Sequence, residues 1–213
     1  TSITAWEALF SRLRINPDTD AGKRILIIGG AGGVGSIAIQ LAKQVASLEV
    51  VATASRAETR DWCHELGADH TINHFENLQE QLTAKSIIQP EFILCLNDTD
   101  QHFASMVEVI APQGLICSIV GSKQKHDLDS LKSKSAGFVW EFMFTRSMFQ
   151  TQDMIKQHEL LNEISELLDN GRIKTTLNTV LGKINPENIR EAHHQLEKGH
   201  TIGKMVLSGF ESS

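Results

Sequence analysis

The stretch that most restricts the fold is Gly30-Ala31-Gly32-Gly33-Val34-Gly35, together with what flanks it. Before it runs Ile25-Leu26-Ile27-Ile28, short, rich in β-branched residues and stopped by glycine, the pattern of a buried parallel strand. After it, Val34, Ile37, Ala38, Leu41, Ala42 and Val45 recur at the spacing of one helix face, the stripe of a helix packed on a sheet. A strand, a tight glycine turn and a helix in direct succession are the repeating unit of an open α/β sheet.

The alternation continues along the chain. The pattern predicts strands over 50–53, 71–72, 92–96 and 115–120, and helices over 57–66, 78–82 and 101–110. This gives a doubly wound parallel six-stranded sheet, Rossmann-like, with helices on both faces and right-handed crossovers. A polar loop over 122–135 precedes an aromatic run over 138–144, read as the sixth, edge strand. A long amphipathic helix over 151–170 follows, then short strands at 173–175 and 179–181, a helix opened by Pro186, and a last strand at 205–207. At the other end, Thr4 and Glu7 have capping-box spacing ahead of Trp6, Leu9, Phe10 and Leu13. The organisation read from this is a linking helix over 1–20, a nucleotide-binding domain over 21–171 and a C-terminal helix and strand extension over 172–213.

Residues 30–35 match G-x-G-x-x-G. Gly30 permits the tight turn, Gly32 and Gly33 let backbone approach a phosphate, and Gly35 lets the helix pack close to the sheet. Backbone N–H groups and the positive end of the helix dipole then face the anion. A Walker loop is excluded, because it needs Lys before the Ser that follows its last glycine, and here Gly35 is followed directly by Ser36. Dinucleotide sites that take NAD place an acid after the second strand for the ribose 2′-hydroxyl. This chain has Ala54-Ser55-Arg56 there, and Glu58 reads as the capping-box partner of Ser55. With no such acid, and with Arg56 and Arg60 at a helix start, the pattern favours a 2′-phosphate and hence NADPH. The competing readings are that Ser55 is only a helix cap, that both arginines are solvated surface charge, and that the glycine turn is purely structural.

Composition removes other classes. A net charge of −6 with no basic segment gives no footprint for nucleic acid. No apolar stretch approaches the ~18 residues of a membrane span. Cys63, Cys95 and Cys117 are an odd number of widely separated cysteines, which suggests neither a disulfide framework nor a metal site and fits a reducing, cytoplasmic setting. His64, His70, His74, His193 and His194 lack the spacing of three converging zinc ligands, so no metal is expected. A short-chain dehydrogenase mechanism is excluded because the chain has no tyrosine. The chain opens at Thr1 with no Met and no signal-like leader, and an upstream part is expected.

Five segments in this order and spacing resemble the C-terminal part of the medium-chain dehydrogenase/reductase superfamily. They are Ile3-Thr4-Ala5-Trp6-Glu7-Ala8-Leu9, Gly29 through Gly35, Glu65-Leu66-Gly67-Ala68-Asp69, Ala111-Pro112-Gln113-Gly114 and Gly203-Lys204-Met205-Val206-Leu207. Trp140-Glu141-Phe142-Met143-Phe144-Thr145-Arg146 resembles the zinc-less quinone-oxidoreductase-like branch, also labelled zinc-type alcohol dehydrogenase-like. The resemblance implies an N-terminal catalytic domain outside this chain, and NADPH-dependent reduction of a quinone, an activated alkene or a carbonyl compound. It places Gly32, Gly33 and Val34 at the pyrophosphate, Ser55 and Arg56 at the 2′-phosphate, Asn97 beside the adenosine ribose, and Val120 and Gly121 near the nicotinamide. Each of Asn97, Val120 and Gly121 also reads as an ordinary strand terminus. The catalytic residues would lie outside the chain. A homodimer through 138–144 is also implied, in keeping with the pairing hazard of an open edge strand. The alternative function is an NADPH-binding sensor without catalysis.

Overall fold

The computed structural model describes residues 1–210. Six parallel strands form one sheet: β1 (Arg24–Ile28), β2 (Glu49–Thr53), β3 (His70–Ile72), β4 (Phe92–Cys95), β5 (Leu115–Ser118) and β6 (Gly137–Trp140). Their spatial order is β3-β2-β1-β4-β5-β6, the doubly wound order, with the chain reversing direction across the sheet between β1 and β4. The register pairs Ile25 with Val50 on one side and with Phe92 on the other, so β1 is central and its residues 25–28 are fully buried.

Helices cover both faces. On one face α2 (Gly33–Gln44) packs Ile37, Ala38, Ile39, Leu41 and Ala42 into a core with Ile25, Ile27, Val50, Ala52 and Leu94. The opening helix α1 (Ser2–Trp6), its π-helical continuation (Glu7–Arg12) and α7 (Ile155–Asp169) lie on this side. On the other face α4 (Leu78–Ala84) and α5 (Thr99–Val109) bury Leu78, Leu82, Phe103 and Met106 against Leu26, Ile28, Ile93 and Ile116. Alternate residues of each strand thus serve opposite cores, which is why the strands read as unbroken apolar runs. α3 (Ala57–Glu65) lies on the same face as α2, with Cys63 in the shared core, beside β3.

Several expectations need correction. The opening helix starts at Ser2, so Thr4 is not its cap; Thr4 is buried within it, and Glu7 is turned inward to Arg146 and Gln157. The edge strand ends at Trp140 and not at 144, because Glu141 is drawn inward to Arg12 at 2.8 Å, and Thr145–Met148 forms the short helix α6. Within the polar loop, Leu128–Lys134 is a 3-10 helix that buries Leu131. No strand forms at 173–175. There Gln40 on α2 takes both main-chain groups of Lys174, accepting from its N–H at 2.6 Å and donating to its carbonyl at 3.1 Å, so no ladder is needed. The last segment contributes β7 (Leu177–Val180), α8 (Pro186–Glu197) and β8 (Lys204–Val206), with β7 and β8 paired in parallel as a separate two-stranded sheet.

Candidate functional site

The strand ends of β1, β2 and β4 open onto a cavity of about 500 Å³ at the carboxyl edge of the sheet. Open α/β sheets place ligands here, where the strand order reverses. The glycine turn forms its floor. Gly29, at φ +87°, ends β1 and donates its N–H to Thr53 Oγ1 at 2.9 Å, which ties the turn to the end of β2. Gly30 and Gly35 lie beneath the cavity. A Cβ on Gly30 would stand 2.8 Å from that of Ala52, and one on Gly35 would collide with the carbonyl oxygens of Gly29 and Gly30. Both positions therefore need glycine for packing. Helix α2 begins at Gly33 with Gly32 as an N-cap that offers no side-chain acceptor, which leaves the first N–H groups of the helix for a bound anion.

Of the residues singled out from sequence, the structure brings Gly32, Ser55, Arg56 and Asn97 into the cavity lining. Gly33 and Val34 form the first turn of α2 beside it. Arg60 is exposed and donates to the Ser55 carbonyl at 3.0 Å, supporting the wall from outside. Val120 and Gly121 follow β5, further along the carboxyl edge and outside this lining. Val120 is fixed there, its carbonyl accepting from Thr99 Oγ1 at 2.5 Å. The loop after it is fastened to Asp100, which accepts from Ser122 Oγ, the Lys123 N–H and His126 Nε2. These bonds, that from Ser122 foremost, draw the Asp100 carboxyl down to about 2.

Ser55 does not cap α3. The N-cap is Arg56, whose N–H donates to Thr59 Oγ1 at 3.1 Å, and Glu58 is exposed with its carboxylate 3.4 Å from Arg56 Nε. The reason is local: Thr59, at the third helical position, is buried and supplies the reciprocal acceptor that the Ser-x-x-Glu pattern assigned to Glu58. The Ser55 hydroxyl is thereby left free of a capping role. Arg56 also donates through Nη2 to the His200 carbonyl at 2.8 Å.

The C-terminal segment completes the cavity. Gly199, His200 and Thr201 line it, and the Gly203 N–H donates to the Ala31 carbonyl at 2.9 Å within the glycine turn. The Lys204 side chain lies over Gly33, its Nζ 2.7 Å from where a Cβ on Gly33 would be. Nothing in sequence spacing placed Lys204 here; the only signal was its motif Gly203-Lys204-Met205. His74 and Phe75, in the turn after β3, and Leu96, after β4, also line the cavity and carried no sequence signal.

The fold and the glycine turn together define a nucleotide-binding α/β domain. The chain belongs to the zinc-binding dehydrogenase family of the medium-chain dehydrogenase/reductase superfamily, whose family profile matches residues 66–207. It is 45% identical over 210 residues to a zinc-type alcohol dehydrogenase-like protein of Staphylococcus aureus (strain MSSA476), a match covering 98% of this chain and 62% of that protein. It superposes with a TM-score of 0.91, at 46% identity, on a crystal structure from Rhizobium etli CFN 42 classed with zinc-dependent alcohol dehydrogenases, covering 99% of this chain and 62% of that one. A mitochondrial NAD(P)H oxidoreductase of Danio rerio is 27% identical over 227 residues, covering 98% of this chain and 54% of that protein. The chain thus spans about three fifths of the length of the first two relatives.

Among the described residues no group of three His, Cys, Asp or Glu could hold a metal. Cys63, Cys95 and Cys117 are buried, and burial pushes their thiols up to about 12, 11 and 12, away from the thiolate that a metal requires. His193 and His194 are exposed on α8. Among the described residues no helix is long and apolar enough to cross a membrane.

Proposed function

We propose that this chain is the cofactor-binding part of an NADPH-dependent oxidoreductase that reduces a quinone, an activated alkene or a carbonyl compound. The observation that carries the reading is the shared wall of one cavity: Ser55 and Arg56 line it with Gly32 and Asn97, and among the described residues no carboxylate lines it, Glu58 being ion-paired to Arg56 outside that lining. The pyrophosphate rests on the N–H groups that open α2, with Lys204 supplying a cation over Gly33. Arg56, at the positive end of α3, and the Ser55 hydroxyl hold the 2′-phosphate. Asn97 faces the adenosine ribose, and Val120 and Gly121 bound the nicotinamide end. When bound, the cofactor supplies a hydride from its nicotinamide. The family and the name of the Danio rerio relative support a nicotinamide cofactor. The substrate class follows from the quinone-oxidoreductase-like resemblance of residues 140–146.

The test is titration of the chain with NADPH and NADH, alongside Arg56→Ala. Wild type binds NADPH more tightly. The variant loses roughly ten- to a hundredfold for NADPH, the value of one or two hydrogen bonds to a charged group, and little for NADH. Equal, weak binding of both cofactors by wild type overturns the choice of NADPH, and no binding overturns the cofactor reading.

We further propose that the molecule pairs through the outer edge of β6 as a two-fold dimer. That edge has no strand partner in the sheet, and Trp140, Phe142 and Phe144 beside it are about half exposed. Three buried free thiols support a reducing, cytoplasmic compartment.

A further inference from the structure

Two histidines behind the cavity wall are not explained by packing alone. His74 lines the cavity from the turn after β3, and its Nδ1 is buried with no hydrogen-bond partner among the described residues. Behind it, on α5, His102 is 2% exposed, and its Nε2 is also buried without a partner. The two rings meet edge to face with centroids 6.1 Å apart, and the outer face of His74 is covered by Phe75 at 4.1 Å. His74 shares the cavity lining with Ser55 and Arg56, so an anion held by those two residues occupies the same cavity as its ring.

We propose that His74 is a pH-responsive specificity residue for the cofactor's 2′-phosphate, standing beside Ser55 and Arg56 and carrying a proton only when that phosphate is bound. The inference rests on the NADPH reading above. Burial lowers the affinity of both rings for a proton; for His102 the charge of His74 acts in the same direction and the nearby Asp98 against it. The pair is therefore neutral near pH 7 unless an anion arrives. The other charged or titratable groups at this wall are Arg56 at the start of α3 and His200 on the returning segment. A phosphate placed at Ser55 and Arg56 favours the imidazolium of His74 and takes up a proton on binding.

The prediction has a sign that separates it from the phosphate's own chemistry. A 2′-phosphate titrating near pH ~6 weakens its own binding as pH falls. Proton uptake by His74 strengthens it. The experiment measures the dissociation constants of NADPH and NADH for this chain between pH 6.5 and 8, with His74→Gln alongside. Gln keeps a hydrogen-bonding group but cannot titrate. In wild type the preference for NADPH over NADH grows as pH falls, by a factor approaching ten per unit, and in His74→Gln it no longer grows but declines slightly toward pH 6.5 as the phosphate begins to protonate. A proton-NMR titration of wild type, with and without NADPH, reads the same event without a variant: the His74 ring titrates at higher pH in the complex. Equal pH slopes in wild type and His74→Gln, or an unmoved His74 titration, overturn the proposal. If NADPH is preferred, loses that preference on Arg56→Ala, and yet shows no pH slope, this inference alone fails. If NADPH is preferred at no pH, the reading beneath it fails as well.

Discussion

Gly35 shows how one absent atom sets the geometry of the site. A methyl group there would enter the space of the Gly29 and Gly30 carbonyl oxygens, which are backbone and cannot swing aside. Gly35→Ala is expected to cost about 2 kcal/mol through overpacking, lowering the thermal midpoint by roughly 4–8 °C for a chain of this size. It should weaken cofactor binding too, since the turn itself must shift. Glu141 supplies a second test at this scale. Its carboxyl is almost fully buried and is pushed up from 4.5 to about 7, by burial first and by the neighbouring Glu7 second, with Arg12 opposing. A group whose affinity for its proton is greater in the folded state stabilises fully below its ordinary value and loses that contribution as pH rises through its folded one. Stability should therefore fall between pH ~4.5 and ~7 on account of this group. In chemical denaturation Glu141→Gln, which keeps an acceptor for Arg12 Nε, should remove that slope. An unchanged slope would show that Glu141 is not the titrating group.

At the scale of elements, Gln40 links α2 to the C-terminal segment by holding both main-chain groups of Lys174. Removing the amide takes two hydrogen bonds from the main chain of the exposed Lys174, a loss of about 0.5–1.5 kcal/mol each. Gln40→Ala should speed hydrogen exchange at the Lys174 amide well before the strands of the sheet are affected. Unchanged exchange there would mean that the segment is held by its other contacts. The same element shows why parts of the chain were legible in advance and others were not. Ile25 through Ile28 and the α2 stripe carry local periodicity, and their burial follows from it. Residues 173–175 also read as a strand, but the backbone there is satisfied by a side chain 134 positions away. No local pattern encodes such a partner. The edge strand was drawn four residues too long for a related reason: its aromatic residues continue to Phe144, while the pairing stops where Glu141 turns in toward Arg12, 129 positions distant. In the site, Gly32, Ser55, Arg56 and Asn97 were readable because each sits next to a strand end. His200 reaches the cavity and Lys204 reaches Gly33 only through tertiary packing, while His74 and Phe75 follow β3 as Ser55 follows β2 but belong to no cofactor motif.

For the whole molecule, the prediction concerns association. Phe142 and Phe144, with ring centroids 5.4 Å apart, form an exposed apolar surface just past the end of β6. Light scattering at high concentration should report a dimer, and Phe142→Asp with Phe144→Asp should shift it to monomer without altering the far-ultraviolet circular dichroism. A wild-type monomer under those conditions would refute the pairing.

The bond from the Gly203 N–H to the Ala31 carbonyl also bears on how the protein is made. It joins points about 170 residues apart, so closing that loop is an entropic step that follows local assembly of the sheet. Synthesis proceeds from the N-terminus at roughly 5–20 residues per second, and the glycine turn leaves the ribosome long before residues 199–204 do. During that interval the nascent chain holds the phosphate turn of its cavity without the wall that His200 and Thr201 provide. Full cofactor affinity should thus appear only once residues 199–204 have been made and docked on the glycine turn, making cofactor capture a marker of that closure.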